Sequence, residues 1–249
     1  MYKELKVVAI IPALDEEKAI GKVVSSLNKL SIDFEGEQQR VIDQIIVCDN
    51  GSTDATAEVA QKAGAKVVKE PRMGYGQACL TAISALPECD IVLFVDGDNS
   101  CQTADAIPML EGIHHGLDVA IGSRVMGTMQ RGALTVPQRF GNWLAAKLIH
   151  WLWEYKITDL GPFRAIRSHA LQRIGMQDKA FGWTVEMQIK AIQYGYAMQE
   201  FPADSHVRIG QSKISGTVKG TIGAGKGILG TIFKLRWQQS SYIPANIQE

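Results

Sequence analysis

The sequence has no excess of charge of either sign. Lys and Arg together number 26, Asp and Glu together number 26, and the formal net charge is zero. Nucleic-acid binders usually carry a basic excess or patch, so we expect no nucleic-acid partner. Hydrophobic residues make up 46% of the 249 residues and charged residues 21%. These values exclude collagen-like, disordered and disulfide-scaffold chains and are typical of a globular protein that buries a full core.

Cysteines are few and long apolar runs are absent. None of Cys48, Cys79, Cys89 and Cys101 forms a CxxC pair, so we expect reduced thiols and no structural zinc. The first apolar run, Val7–Ile11, is too short for the core of a signal peptide. No run reaches the roughly 18 apolar residues of a membrane span. We therefore expect a cytoplasmic protein without a transmembrane helix, which leaves open a peripheral position on a membrane.

Short apolar runs alternate with amphipathic stretches in the first half of the chain. Strands are predicted at Val7–Ile11, Ile45–Cys48, Lys66–Lys69, Ile91–Val95 and Val119–Gly122, with helices at Ala19–Leu30, Asp54–Ala63, Gly76–Leu86 and Ala106–His115 between them. Apolar strands separated by helices indicate a parallel sheet covered on both faces. The predicted fold class is therefore α/β, a Rossmann-like doubly wound, mostly parallel sheet. Ligands bind such sheets at the carboxyl ends of the strands.

The second half is less regular. A helix is predicted at Pro137–Trp153 and another at Val185–Tyr194, while Ile157–Ile166 and Ala197–Val207 have the pattern of extended chain. Because no linker interrupts the sequence, we expect a single domain over 1–249. Its parts are a nucleotide-binding half (about 1–123), an acceptor half (about 124–216) and a glycine-rich, basic and apolar tail (217–249).

Acidic residues follow several of the predicted strands. Asp15, Glu16 and Glu17 follow the first strand, Asp49 follows the second, and Asp96-Gly97-Asp98 follows the fourth. Each alone is compatible with a helix cap or a turn. Together they place carboxylates along one edge of the sheet, which favours a binding site.

Asp96 and Asp98 are the most specific signal. Carboxylates two residues apart on an extended chain point to the same side and repel each other unless a cation or a proton lies between them. Mg²⁺ typically takes one or two protein carboxylates and completes its shell with water and substrate phosphate. Gly97 allows a phosphate to approach the backbone. The pattern predicts a site for a divalent cation and a phosphate.

With these residues in view, the chain resembles the family 2 glycosyltransferases of GT-A type fold, and within them the dolichyl- and polyprenyl-phosphate sugar synthases. The resemblance rests on the order and spacing of seven segments: Ile11–Glu17, Asp49–Asp54, Arg72–Ala78, Asp96–Asp98, Gly122–Arg124, Asp159–Arg164 and Arg208–Lys213. It covers residues from about Val7 to Lys213.

The resemblance implies roles for individual residues. Pro12, Ala13, Asp15 and Glu16 would line the base and ribose of a nucleotide sugar, Asp49 would bind the base, Gly74 and Gln77 would lie near the nucleotide, Asp96 and Asp98 would hold Mg²⁺ or Mn²⁺ against the diphosphate, and Arg124, Arg139, Arg208 and Lys213 would face phosphate groups. It also implies an inverting direct displacement. The sequence itself leaves the base open between uracil and guanine, with UDP preferred.

The acceptor decides whether a general base is needed. A hydroxyl acceptor requires one, for which Asp159 and Glu186 are candidates, whereas an ionised phosphate acceptor does not. The expected function is transfer of a hexose to a polyprenyl- or dolichyl-phosphate-like acceptor. The alternatives are transfer to a small soluble acceptor and a non-catalytic nucleotide-sugar-binding protein.

The glycine-rich tail allows two interpretations. Basic residues interleaved with apolar ones suit a membrane interface, but packing on the rest of the chain or on a second subunit is an equal alternative. Gly225–Gly230 fits the dinucleotide pattern G-x-G-x-x-G, but too few residues follow it for a βαβ unit. An NAD-dependent dehydrogenase is therefore disfavoured.

Overall fold

The computed structural model describes residues 1–210 and 218–238. The strands are β1 (Val7–Ala13), β2 (Ser31–Phe34), β3 (Glu37–Arg40), β4 (Gln44–Asp49), β5 (Lys66–Lys69), β6 (Ile91–Phe94), β7 (Val119–Ser123), β8 (Arg164–Arg167) and β9 (Met198–Pro202). The helices are α1 (Ile20–Asn28), α2 (Thr56–Lys62), α3 (Tyr75–Ser84), α4 (Ala106–His114), α5 (Val136–Trp153), α6 (Ser168–Ile174), α7 (Trp183–Gln193) and α8 (Val218–Trp237).

Seven strands form the central sheet in the order β5-β4-β1-β6-β8-β7-β9. Only β8 runs antiparallel to its two neighbours, β6 and β7, and the other pairings are parallel. The predicted mostly parallel sheet is confirmed. Because β8 comes from the second half of the chain and lies between β6 and β7, the sheet continues across the expected boundary near residue 123.

Helices cover both faces of the sheet because side chains alternate along each strand. In β1, Val7, Ala9 and Ile11 pack with α1, α2 and α4, while Val8 and Ile10 face α3, α6 and α7 on the other side. All seven residues of β1 are buried, as expected for a central parallel strand.

Several elements differ from the sequence prediction. The β2–β3 hairpin and α6 were not predicted, and the extended segment expected at 157–166 is a strand only from Arg164 onward. The backbone before it is irregular because Glu200 accepts hydrogen bonds from the N–H groups of Thr158 and Asp159. This irregular segment carries Asp159 to the edge of the sheet.

The glycine-rich segment forms helix α8 and packs on α5 and α7. Glycine disfavours a helix by about 1 kcal/mol relative to alanine, so tertiary contacts must stabilise this one. Ile232 and Leu235 are buried in the cluster that α8 shares with these helices. The structure therefore shows Ile232 and Leu235 packed against the rest of the chain. Within residues 1–210 and 218–238, no helix combines the length and apolar character needed to cross a bilayer.

Candidate active site

The parallel strands β1, β4 and β6 end at the same edge of the sheet, where Ala13 lies opposite Asp49. The loops that follow them enclose a cavity of about 430 Å³, here called the carboxylate cavity. The predicted site residues on its wall are Pro12, Ala13, Glu16, Gly74, Asp96, Gly97, Asp98 and Arg208. Residues without a predicted role also line it: Leu14, Asn50, Met73, Tyr75, Ala78, Ala180 and Phe181.

Asp96 and Asp98 lie together on the wall of this cavity. Burial, followed by repulsion from Asp98, raises the pKa of Asp96 to about 7. The hydroxyl of Tyr75 donates a hydrogen bond to Asp96 Oδ1 at 3.0 Å. A bound cation would remove the repulsion between the carboxylates.

The carboxylate pair fits Mg²⁺ or Mn²⁺ that takes its remaining ligands from water and substrate phosphate. In the part of the chain that the structure describes, no group of three or more His, Cys, Asp or Glu side chains is arranged to hold a metal ion. The described residues therefore form no closed metal site made of protein ligands alone.

Arg208 spans the mouth of the cavity. Its guanidinium pairs with Glu16 Oε1 and lies 3.4 Å from Asp98 Oδ2. The Arg208 Nε atom is buried and has no hydrogen-bond partner among the described residues. Since a buried, unpartnered donor is costly, this nitrogen suits an anionic ligand such as a diphosphate.

The loop that follows β5 is held by Asn50 and Glu70, neither of which had a predicted role. The Asn50 amide donates to the carbonyls of Glu70 and Arg72 at 2.9 and 2.8 Å, and it accepts from Gly74 N–H at 2.9 Å. Gln77, which was expected near the nucleotide, donates to Glu70 Oε2 at 2.8 Å. Gln77 therefore supports the loop that places Gly74 on the wall.

Asp15 and Asp49 do not line the carboxylate cavity. Asp15 Oδ1 accepts a hydrogen bond from the N–H of Thr53 at 2.7 Å, and Asp49 Oδ1 accepts one from the N–H of Ser52 at 3.0 Å. Both carboxylates fasten the loop after β4, and their direct contact with a nucleotide stays a prediction.

Asp159 is fully buried and paired with Arg124. Its Oδ2 accepts from the backbone N–H and from Nε of Arg124 at 2.8 and 2.7 Å, and its Oδ1 accepts from Nη2 at 2.7 Å. Such a bidentate pair fixes the plane of the guanidinium. The carboxylate therefore holds Arg124 at the end of β7.

Glu186 does not line the carboxylate cavity. Its oxygens accept from the N–H groups of Gln177 and Asp178, and Lys190 Nζ is 2.7 Å away. These contacts fix the start of the loop that carries Ala180 and Phe181 onto the wall of the carboxylate cavity.

The carbonyls of the same loop occupy the amino end of α3. The N–H groups of Gly76 and Gln77 donate to the carbonyls of Ala180 and Lys179 at 3.3 and 3.0 Å. This helix end is therefore capped by protein rather than open to a phosphate.

A second cavity, of about 850 Å³, lies beside Arg124 and is here called the basic cavity. Its basic lining residues are Arg124, Arg131, Arg139, Lys147, His150 and Lys156, and no Asp or Glu lines it among the described residues. Arg124 and Arg139 were predicted to face phosphates, whereas Lys147, His150 and Lys156 were missed. The signal for Lys147 and His150 was their position on an amphipathic helix that also bears Arg139.

A third cavity, of about 270 Å³, lies between the other two and is here called the bridging cavity. It shares Tyr75 and Phe181 with the carboxylate cavity and Arg124 with the basic cavity. The three cavities therefore adjoin. Lys213, the remaining predicted phosphate contact, lies outside the described residues.

Comparison with known proteins identifies the family of this chain. The family model "Glycosyl transferase family 2" matches residues 8–175. The chain is 30% identical over 208 residues to a dolichyl-phosphate hexose transferase of Haloferax volcanii, covering 82% of this chain and 85% of the relative. It is also 30% identical over 219 residues to an uncharacterised glycosyltransferase of Mycobacterium tuberculosis, covering 87% and 93%.

Solved structures confirm the GT-A type fold. The glucosyl-3-phosphoglycerate synthase of M. tuberculosis, crystallised with Mn²⁺, UDP and phosphoglyceric acid, matches with a TM-score of 0.72 and 21% identity, covering 94% of this chain and 79% of that one. The family model spans more than half of the chain, so the resemblance found in the sequence is confirmed: the protein belongs to glycosyl transferase family 2 and is a glycosyltransferase.

Proposed function

We propose that this enzyme transfers a hexose, with inversion, from a UDP- or GDP-sugar to a polyprenyl- or dolichyl-phosphate-like acceptor at a membrane surface. One observation carries the proposal. The carboxylate cavity, with Asp96 and Asp98, connects through the bridging cavity to the basic cavity, whose described lining has five Arg and Lys side chains and no carboxylate. A site for a metal-bound diphosphate beside a site for a second anion suits transfer between two phosphorylated substrates.

On the donor side, Asp96 and Asp98 would hold Mg²⁺ or Mn²⁺, and Arg208 would turn its unpartnered Nε toward the diphosphate. When bound, the cation supplies positive charge that stabilises the negative charge developing on the leaving phosphate. Pro12 and Ala13 would form the wall against the nucleoside. The Mn²⁺ and UDP in the structure of the mycobacterial synthase support this assignment and the preference for UDP.

On the acceptor side, the state of the two candidate bases favours a phosphate nucleophile. Both oxygens of Asp159 already accept hydrogen bonds from Arg124, and Glu186 is engaged by Lys190 and by backbone N–H groups. A phosphate monoester is largely ionised at neutral pH, so its oxygen attacks without a general base. Arg124 and Arg139 would bind this phosphate, and Asp159 would act by positioning Arg124.

A small phosphorylated acid is the second candidate acceptor. The basic cavity suits its charge as well, and the mycobacterial synthase was crystallised with phosphoglyceric acid. The dolichyl-phosphate hexose transferase of H. volcanii, whose 30% identity extends over 82% of this chain, favours the lipid phosphate.

A radiolabelled transfer assay tests the proposal. UDP-glucose and GDP-mannose are each offered with polyprenyl phosphate or with 3-phosphoglycerate, in Mn²⁺ or in EDTA. We expect Mn²⁺-dependent label in the lipid product. Asp98→Asn should keep the wild-type melting temperature and lose turnover, and unchanged turnover would refute the metal assignment.

A second variant tests the acceptor site. Arg139→Gln should raise KM for the phosphorylated acceptor without changing KM for the nucleotide sugar, while Arg173→Gln, an exposed arginine on α6, serves as the matched control. Label on 3-phosphoglycerate alone would move the assignment to the soluble acceptor.

A further inference from the structure

Helix α5 carries a row of large apolar side chains in solvent. Val136, Phe140, Trp143 and Trp151 are 79, 60, 54 and 75% exposed. Their separations of four, three and eight residues place them on one face of the helix. The rings of Phe140 and Trp143 lie 5.8 Å apart, so the exposed apolar surface is continuous there. A contiguous exposed apolar patch of this kind marks an interaction surface.

Basic residues accompany this aromatic face. Lys147 lies on the same face, four residues from both Trp143 and Trp151, and Arg139 and His150 flank it, all three exposed. The helix from 136 to 153 contains no Asp or Glu. Trp143, Lys147 and His150 also line the basic cavity. The aromatic face and the mouth of that cavity are therefore one continuous surface.

Helix α8, which packs on α5, has the same character. Its Phe233 and Trp237 are 52 and 90% exposed and lie four residues apart, with the exposed Lys234 beside them. The helix contains no acidic residue. Two neighbouring helices thus present aromatic side chains and positive charge together.

We propose that the aromatic face of α5 docks on an anionic lipid bilayer. Phe140, Trp143 and Trp151 would enter the boundary between head groups and acyl chains, and Arg139 and Lys147 would contact lipid phosphates. Tryptophan favours this boundary because its ring is apolar and its N–H is polar. This orientation, which rests on the proposed function, turns the mouth of the basic cavity toward the bilayer, where the phosphate of a polyprenyl chain lies.

A second copy of the chain fits this face less well than a bilayer does. A two-fold interface brings the same patch of both subunits together, so the basic face of one α5 would lie against the basic face of the other. Like charges placed opposite each other are destabilising. The helix itself offers no carboxylate to pair with these charges, and Glu154 lies only at its carboxyl end. An anionic membrane complements the whole charge of the face.

Vesicle sedimentation tests the docking. The wild-type chain is mixed with vesicles of phosphatidylcholine, or of phosphatidylcholine with 30% phosphatidylglycerol, at low salt and in 0.5 M NaCl. We expect binding to the anionic vesicles that weakens in salt. Phe140→Ser/Trp151→Ser, whose residues line none of the three cavities, should lower the partition coefficient at least tenfold and keep the wild-type melting temperature. Met126→Ser, an exposed apolar residue elsewhere, should bind as wild type does.

Two results would overturn the docking proposal. One is that the wild type does not bind anionic vesicles at low salt, or that the double variant binds them as strongly as the wild type. The other is a wild-type dimer, seen by sedimentation equilibrium, that the double variant abolishes, which would assign the face to a second subunit.

Transfer to a short-chain, water-soluble prenyl phosphate separates this proposal from the proposed function. We expect equal rates for the wild type and the double variant with the soluble acceptor, and a slower double variant with long-chain acceptor in vesicles. If the enzyme uses neither prenyl phosphate, but the wild type binds vesicles and the double variant does not, the proposed acceptor is refuted and the docking surface is supported.

Discussion

Replacing Asp159 by Asn tests whether this carboxylate positions Arg124 or removes a proton from an acceptor. Arg124 donates three hydrogen bonds to it, from the backbone N–H at 2.8 Å and from Nε and Nη2 at 2.7 Å each. Asp159 is fully buried, and the side chain of Arg124 is 21% exposed. The variant keeps one acceptor oxygen and directs an amide N–H₂ group at the guanidinium.

The expected cost follows from leaving the arginine without its anion. Removing one partner of a buried ion pair typically costs about 3–5 kcal/mol. Because Arg124 reaches some solvent and the Asn oxygen still accepts one hydrogen bond, we expect about 2–4 kcal/mol. For a protein of this size, each kcal/mol lowers the melting temperature by about 2–4 °C. The melting temperature should therefore fall by roughly 4–16 °C.

Thermal unfolding followed by circular dichroism measures this change. Glu58→Gln is the matched control, since it neutralises the partner of Lys62 in an ion pair that is exposed on both sides, and it should leave the melting temperature close to that of the wild type. Adding Arg124→Gln to Asp159→Asn should cost less than the sum of the single changes, because no unpaired charge remains. A variant that melts within 1 °C of wild type and loses only kcat would refute the positioning role.

Three further changes probe the supports of the site. Gly76→Ala should raise KM for the nucleotide sugar and lower the melting temperature, because a Cβ there overlaps the carbonyl oxygen of Asp178 in the loop that lines the carboxylate cavity; kinetics with unchanged KM would contradict this. Glu70→Gln should destabilise the fold at pH 7. The Arg72 side chain, with further hydrogen bonds, lowers the pKa of Glu70 below its ordinary value of 4.5, so its stabilisation is present above that pH and is lost as the pH falls. The difference in melting temperature between variant and wild type should therefore narrow below pH 4. Ile232→Ala should cost about 2–5 kcal/mol in chemical denaturation, since it empties a fully buried position between α8 and the core; a loss below 0.5 kcal/mol would show that α8 is not packed there.

The sequence predicted the carboxylate pair correctly in position because the signal is local. Apolar side chains on both faces identify Ile91–Phe94 as a central strand, and the residues after such a strand must lie at the edge of the sheet. The same reasoning found Glu16 and the residues before it. It could not separate side chains that line the cavity from those that fasten its loops. Asp15 and Gln77 belong to the second group because of partners distant in sequence, Thr53 and Glu70.

The two candidate bases show the same limit more sharply. An acidic residue in a loop or on a helix has the same sequence pattern whether it is exposed to substrate or buried against a cation. Asp159 meets Arg124 across 35 positions because β8 inserts between β6 and β7. That insertion reverses one strand in an otherwise parallel sheet, and no periodicity within β8 encodes it.

The sequence alone determined five strands of the central sheet, the α/β class, the family and the position of the carboxylate pair at the sheet edge, because these depend on local periodicity and on fixed spacings within short segments. Tertiary structure alone decided which charges pair, which cavities adjoin and which apolar side chains stay in solvent. These depend on contacts between residues far apart in the chain. The aromatic face of α5 and the packing of glycine-rich α8 on the same helix arise in this way. Both depend on which residues become neighbours in space, and local sequence patterns do not specify this.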